Sequence, residues 1–462
     1  MNDPDLIIQL VGVLLSLMCL LFAIRAGKRR RLVDDLPTTK TTGVFIGLVE
    51  LKGTAEAERP LVSYLAERPC VYHAWGIDEH WSRTVTETYT DSQGHTRTRI
   101  RHESGWQTVA SGGEQIPFYL QDDCGVVRVQ PEKASIEPLA VFDETCGPLN
   151  PLYYGKGPPH AVSHSDYRRR FHESAIPLHI PIYVMGQARE REDVVAPEIA
   201  HDKDAPMFLI STRTEAQVAA GFRTTYWMLG ILGLILCVAG WIAADYARAE
   251  NSPVRFTASE TLPYETAENI PSHWSAADNI ATYVLAGLGY VAAWILGWVW
   301  MAFNSLIGLR QRVRQAWSNV DVQLQRRNDL IPNLVATVQG LRDHERELQT
   351  ELAHLRSQLT ATAPGQPGPD PEGCLPHLRA VVERYPELKT NEAFLQLQQD
   401  LSETEQRIAL AREYFNDIAA FYNARLEIIP DHYLATLARL RPQPFIAATN
   451  FERAPVEVNL AT

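Results

Sequence analysis

Three runs, Leu6 to Ile24, Tyr226 to Ala244 and Ile280 to Phe303, contain no Lys, Arg, Asp or Glu. A helix rises ~1.5 Å per residue, so about 20 apolar residues match the ~30 Å hydrocarbon core of a bilayer. Helices buried in a soluble core are usually shorter and keep a polar face. The chain is therefore read as a multi-domain membrane protein with transmembrane helices at 6–24, 226–244 and 280–303.

The flanking charges orient these spans. Asp3 and Asp5 precede the first run, whereas Arg25, Lys28, Arg29, Arg30 and Arg31 follow it. Arg213 and Arg223 precede the second, Arg310, Arg312 and Arg314 follow the third, and residues 245–279 hold two Arg against six acids. The positive-inside rule then predicts an N-terminus outside, an extracytoplasmic loop at 245–279 and two cytoplasmic polar regions in the inner (plasma) membrane. A cleaved signal peptide carries its positive charges before the apolar run, the reverse of this order. Lys28, Arg29, Arg30 and Arg31 are candidate contacts for anionic lipid head groups.

A net charge of −12 argues against nucleic acid as a partner, since phosphate binding needs a basic face. The six cysteines, at 19, 70, 124, 146, 237 and 374, form no C-x-x-C pair. That spacing predicts reduced thiols, with neither a disulfide framework nor a structural zinc site.

Residues 43–220 read as β-rich and barrel-like. Runs at 44–51, 70–75, 116–122, 125–131, 180–188 and 206–211 are rich in β-branched and aromatic residues and bounded by turn formers. Between them, TETYTDSQGHTRTRIRHESGW predicts a polar hairpin turning at Asp91 to Gly94. The phrases PLVSYLAERPCVYHAW, GWQTVASGGEQIPFYLQDDCGVVRVQP, IPIYVMGQAR and PMFLISTRTEAQV, in that order, resemble the GIDE domain of mitochondrial membrane-anchored ubiquitin ligases. The residues from Cys146 to His164 interrupt the likeness and have no assigned element. In those enzymes the ligase activity lies in a C-terminal RING, a zinc domain of Cys and His ligands. This chain ends in Glu-, Leu- and Gln-rich helices instead, so ubiquitin transfer does not carry over with the resemblance.

Residues 304–430 carry QAWSNVDVQLQRR (315–327), DLIPNL (329–334), RYPELK (384–389), ETEQRIALAREYFND (403–417) and YNARL (422–426), which resemble the LemA family. The resemblance implies a membrane-anchored helical bundle. Periodicity leads independently to long helices. Phe394, Leu397, Leu401, Thr404, Ile408, Ala411, Phe415, Ile418, Tyr422 and Leu426 recur at spacings of three and four, a coiled-coil seam that Pro430 stops. Leu306, Leu309, Val313, Trp317, Val320 and Leu324 form a matching stripe, which Pro332 should kink or divide. The Pro- and Gly-rich residues 361–373 turn the chain back, so the fold expected here is an all-α antiparallel bundle, followed by a tail at 431–462.

Candidate chemistry is sparse. His344–Glu345 lacks the second His of a zinc-protease motif, because Leu348 stands in its place. His73, His95, His102, His160, His164, His172 and His179 fit no ligand spacing, and no phosphate loop or G-x-S-x-G occurs. No catalytic, cofactor-binding or metal residue is assigned, and no cofactor is expected. The charged and amide residues of the LemA phrases, including Arg327, Glu405, Asn416, Asn423 and Arg425, read as interhelical pairs fixing register. The rival reading makes them a contact surface for another subunit.

The functional expectation is a non-enzymatic, membrane-anchored scaffold or a sensor of membrane state or stress. It acts as a homo-oligomer, with the bilayer and an unidentified protein as partners. Self-association is assigned to Trp317, Phe394, Leu397, Leu401, Ile408, Phe415, Tyr422 and Leu426. Close packing of the second and third spans is assigned to Gly289, Ala293 and Gly297 against Gly230, Gly233, Cys237 and Gly240. The alternative is an E3 ubiquitin-ligase-like modification factor acting through the GIDE-like domain, with Cys124 and Cys146 as the unassigned thiols.

Overall fold

The computed structural model describes residues 4–90, 96–191, 196–203, 205–251, 276–341 and 392–446. They form a β unit within Pro37–Glu215 and a helical unit built from the N-terminal helix and most of the chain after Ala216.

In the β unit, β1 (Thr38–Thr39) leads to β2 (Gly47–Glu56), and short β3 (Leu61–Val62) precedes the long pair β4 (Pro69–Thr90) and β5 (Thr96–Gln115). Then come β6 (Phe118–Gln121), β7 (Val126–Val129), β8 (Ser135–Glu137) and β9 (Leu139–Cys146). After helix α1 (Pro4–Asp34) in the other unit, the next helix of the chain is α2 (Pro151–Gly155). It is followed by β10 (Ser165–Pro177), β11 (Pro181–Glu190), β12 (Pro197–Ala200) and β13 (Leu209–Ser211).

Strands β2, β6, β7, β12 and β11 pair in that order, and β11 returns to β2 through Tyr183↔Lys52, so a ring of five strands closes. Closure of the ring makes its interior a core of Val49, Leu51, Leu120, Val129, Val184 and Ile199. Central β11 is buried continuously from Ile182 to Gly186, as a strand with neighbours on both sides requires.

A second sheet orders β3-β4-β10-β9, with β5 hydrogen-bonded to β4. The predicted hairpin is β4–β5, in register from Tyr72↔Gln115 to Thr90↔Thr96, and its turn lies outside the described residues. Its far half is exposed on both faces, which accounts for the Thr- and Arg-rich sequence.

The unassigned stretch after Cys146 turns out to be part of the core. Asn150 caps α2 by accepting from Leu152 N at 2.9 Å, and Pro151 opens the helix. Tyr153 is then buried and donates to Glu79 Oε1 at 2.9 Å. Arg169 is wholly buried. It donates to Glu79 Oε2 at 3.0 and 3.2 Å and to the carbonyls of Tyr153, Pro158 and His160. Residues 150–160 thus wrap a guanidinium whose charge and donors are met by one carboxylate and three carbonyls, as burial of a charge demands.

The helical unit contains α1, α3 (Glu215–Asn251), α4 (Ala276–Leu341), α5 (Glu392–Glu427) and α6 (Asp431–Leu437). Helices α1, α3 and α4 are long and apolar enough to cross a membrane. Many of their large apolar side chains face outward, among them Leu14, Leu21, Ile235, Leu285 and Leu296. Helix α4 continues from the third apolar run through the first LemA-like stripe. Pro332 does not divide it, because the helix runs on to Leu341.

Helices α4 and α5 run antiparallel: Trp317 meets Phe415 edge-on at 5.7 Å, while Arg327 further along α4 lies 3.7 Å from Glu405 earlier on α5. Helix α5 ends at Glu427, just before Pro430. The chain beyond α6 then returns along α5. Asn423 and Asn416 each grip the tail backbone with both ends of the side-chain amide. Asn423 Nδ2 donates to Gln443 O at 2.9 Å and its Oδ1 accepts from Gln443 N at 2.8 Å, and Asn416 does the same with Ile446. The Pro- and Gly-rich turn 361–373, RYPELK, His344–Glu345 and most of the 245–279 loop lie outside the described residues.

Candidate functional site

The charged side chains of the helical unit converge where three apolar segments end together. Arg31, in the last turn of α1, makes a two-pronged contact with Asp431 of α6, at 2.9 and 3.1 Å. Arg425 of α5 reaches Asp35 at 2.7 Å and Asp431 at 3.6 Å, and Ser305 of α4 donates to Asp35. Both aspartates are almost fully buried. The guanidinium of Arg31 also lies 5.6 Å from the ring centre of Trp298. This chain of charges fastens the end of α1 to α4, α5 and α6. Removing one partner of such a buried pair strands the other and typically costs about 3–5 kcal/mol.

Beside this node is a cavity of about 400 Å³. Its apolar wall comes from Trp294, Ile295, Trp298 and Met301 of α4 with Tyr226 and Trp227 of α3, and its polar wall from Arg30, Arg31, Asp34 and Arg425. Trp294 Nε1 donates to Tyr226 Oη at 2.8 Å, so the aromatic wall has a satisfied polar seam.

The residues singled out from sequence separate into groups. Lys28 and Arg29 are exposed, Arg30 is half-buried and pairs with Asp34 one turn on, and Arg31 is committed to Asp431. Arg31 is therefore a structural tie inside the chain, because its partner arrives from 400 residues away, a contact no local pattern reveals.

The seam residues Leu401, Ile408, Phe415, Tyr422 and Leu426 are buried within the single chain, Leu397 and Trp317 are half-buried, and the side chain of Phe394 lies outside the described residues. The buried part of the stripe is thus already covered intramolecularly, and contacts between copies would need other surface.

For the spans, Ala293 and Cys237 of the proposed small-residue faces share one cluster, while the glycines meet other partners. Gly289 faces open space, Gly297 meets Ile24 of α1, and Ala293 packs in a cluster with Leu20, Cys237 and Tyr290. Gly230 and Gly233 make room for the rings of Trp294 and Tyr290. Backbones meet instead at Gly12 of α1 and Gly240 of α3, where a Cβ on either would stand 2.8 to 3.0 Å from the other's Cα. Large rings fill the glycine notches between α3 and α4, whereas α1 and α3 approach backbone to backbone at Gly12 and Gly240.

In the β unit burial and nearby carboxylates outweigh the cations beside the Cys124 and Cys146 thiols. Burial pushes the Cys146 thiol up, with the Glu144 charge adding to it, and burial followed by Asp123 and Asp122 raises that of Cys124. An activated nucleophile needs the opposite shift. Asp122, Asp123 and Cys124 are the only described group with metal-ligand spacing. Asp122 is occupied by Thr41, Cys124 N and Gly125 N, and Asp123 pairs with Lys40. The histidines pair singly, His73 with Glu173, His80 with Asp166 and His179 with Glu56.

Two family profiles match the chain. The LemA family covers residues 316–460, and the profile described as E3 Ubiquitin ligase, GIDE, covers residues 86–243. The chain joins a LemA-family segment to a GIDE segment. The GIDE match begins within β4 and runs into α3, and the LemA match includes the tail that Asn416 and Asn423 hold. Among similar proteins are Magnetosome protein MamQ 2 of Paramagnetospirillum magneticum and Magnetosome protein MamQ of Magnetospirillum gryphiswaldense. The first is 25% identical over 185 residues, covering 34% of this chain and 67% of the relative. The second is 25% identical over 167 residues, covering 30% of this chain and 61% of the relative.

Proposed function

We propose that this protein is a non-enzymatic, membrane-anchored scaffold that holds its LemA-family helices against the inner face of the plasma membrane and assembles there with further copies. One observation carries the reading. Helix α4 is at once the third apolar segment and the first helix of the LemA-family bundle, and the Arg31–Asp431–Arg425–Asp35 node ties that bundle to the end of α1. Anchor and bundle are one framework. The outward apolar side chains of α1, α3 and α4 support insertion, since patches of that extent are rare on proteins surrounded by water. The exposed Ile428, Ile429, Tyr433 and Leu437 around α6 offer surface for contact between copies that the buried seam does not.

The description of the GIDE family favours the second reading, a ligase-like modification factor. It would have to draw on Cys124 or Cys146, whose raised thiols make poor nucleophiles at neutral pH.

The test uses the full-length chain. Membranes are washed with alkaline carbonate, and the protein is then extracted in mild detergent and measured by multi-angle light scattering. Retention in the membrane and more than one chain per particle are expected. Release by carbonate sinks the anchor, and a strict monomer sinks the assembly.

A further inference from the structure

The cavity beside the charge node has the position, lining and charge of a lipid site. Its walls come from the C-terminal end of the first apolar run, marked by Gly27, from the beginning of the second at Tyr226 and from the last turns of the third at Trp294 to Met301. Those three ends coincide with the basic flanks, so the cavity lies at the head-group level of that leaflet. Trp and Tyr are the residues that settle at this depth.

The charged wall is mostly guanidinium. Arg30, Arg31 and Arg425 line the cavity with a single acid, Asp34. The acids that hold Arg31 and Arg425, Asp431 and Asp35, are absent from the lining. The guanidinium groups therefore stand at the wall with the carboxylates of Asp431 and Asp35 set behind them. Among the described residues Arg30 pairs with its neighbour one turn away, at 3.3 Å, and is the guanidinium most readily turned to a ligand. The opposite wall is apolar and opens sideways, because Ile295 and Trp227 both line the cavity and stay exposed on the outward faces of their helices. A soluble anion uses only the arginine side of such a space. A molecule with an anionic head and hydrocarbon chains uses both.

We propose that this cavity holds an anionic phospholipid, its phosphate at Arg30 and its acyl chains leaving past Trp294 and Ile295 into the bilayer. Because Arg31 and Arg425 belong to both the cavity wall and the node, occupancy bears directly on the contact between α1 and the LemA-family helices. Basic pockets between membrane helices are a recurrent way to select anionic lipids.

The inference rests on the membrane-scaffold reading above, and the experiment separates the two. Full-length protein is delipidated, reconstituted in nanodiscs of phosphatidylcholine containing a minor share of phosphatidylglycerol, re-extracted and weighed by native mass spectrometry. The wild type is expected to retain one phosphatidylglycerol per chain. Arg30→Gln should lower its retention about tenfold, the ratio that ~1.4 kcal/mol represents, while Lys28→Gln, which is exposed and off the cavity wall, retains it. Ile295→Trp, which blocks the sideways opening and leaves every charge in place, should also lose the lipid while its circular dichroism stays unchanged. That variant decides the matter if Arg30→Gln misfolds.

Three results overturn the inference: no preference for phosphatidylglycerol, equal loss in Lys28→Gln, or displacement of the lipid by excess inorganic phosphate, which would mark an anion site alone. A carbonate-resistant oligomer that carries no lipid sinks only this inference, whereas a carbonate-released chain sinks the scaffold with it.

Discussion

Glu50 lies buried against the ring of strands, accepting from Thr38 Oγ1 at 2.9 Å and Tyr183 Oη at 3.0 Å. Burial, reinforced by the charge of Glu215, pushes its carboxyl from an ordinary 4.5 up to about 7. Between those values the folded chain holds a proton that the unfolded chain has lost, so stability falls as pH rises through this window and is greatest below it. At ~1.36 kcal/mol per unit, the effect is at most about 3 kcal/mol. Full-length protein should therefore melt at a higher temperature at about pH 6 than at about pH 8, and Glu50→Gln should flatten that slope. An unchanged slope in the variant would assign the effect elsewhere. Glu79 has the opposite sign. Burial acts to raise its carboxyl, but hydrogen bonds from Ser165, Tyr153 and Arg169 hold it below the usual range, so its contribution is present at neutral pH and lost only in acid. Neither role was legible in the sequence. In VFIGLVEL, Glu50 reads as an outward polar residue, and only closure of the ring through β11 buries it.

The helices were legible as elements because their signals are local: apolar run length, three-and-four spacing, and a proline stop. Their partners were not. Spacing shows which face of a span is small, but the ring that fills a notch comes from a residue 57 to 64 positions away, as Tyr290 does for Gly233 and Trp294 for Gly230. This gives a discriminating pair of substitutions. Gly240→Leu should force α1 and α3 apart at Gly12, an overpacking that costs about 1–3 kcal/mol, whereas Gly289→Leu meets open space and should cost little. Thermal aggregation of the detergent-solubilised protein reads both, and equal effects would refute the assignment. The tail also escaped periodicity, since an extended segment has no apolar repeat to betray it. Pro442 and Pro444 flank Gln443, whose N–H is the one Asn423 uses, so rigid residues occupy positions where no clamp needs a donor.

For the whole molecule, the flanking charges predict that both large regions share one side of the membrane. Single cysteines at Thr98, Ser259 and Ser402 in a cysteine-free background test this with an impermeant thiol reagent on intact cells. Thr98 and Ser402 are exposed in their own units, so their failure to react would reflect the membrane and not burial. Labelling at 259 alone is expected, and labelling at 98 or 402 would reverse the topology. The unbroken course of α4 carries a mechanical consequence. Residues 304–341 carry the helix about 57 Å beyond the third apolar run at ~1.5 Å per residue. A tilt of ~10° in the membrane, the size of adjustment that a change in bilayer thickness imposes on a span, would swing the far end of that helix through roughly 10 Å. In the proposed membrane scaffold the helix would be a lever with the head-group plane as its fulcrum, and the arginine node the strut resisting its turning.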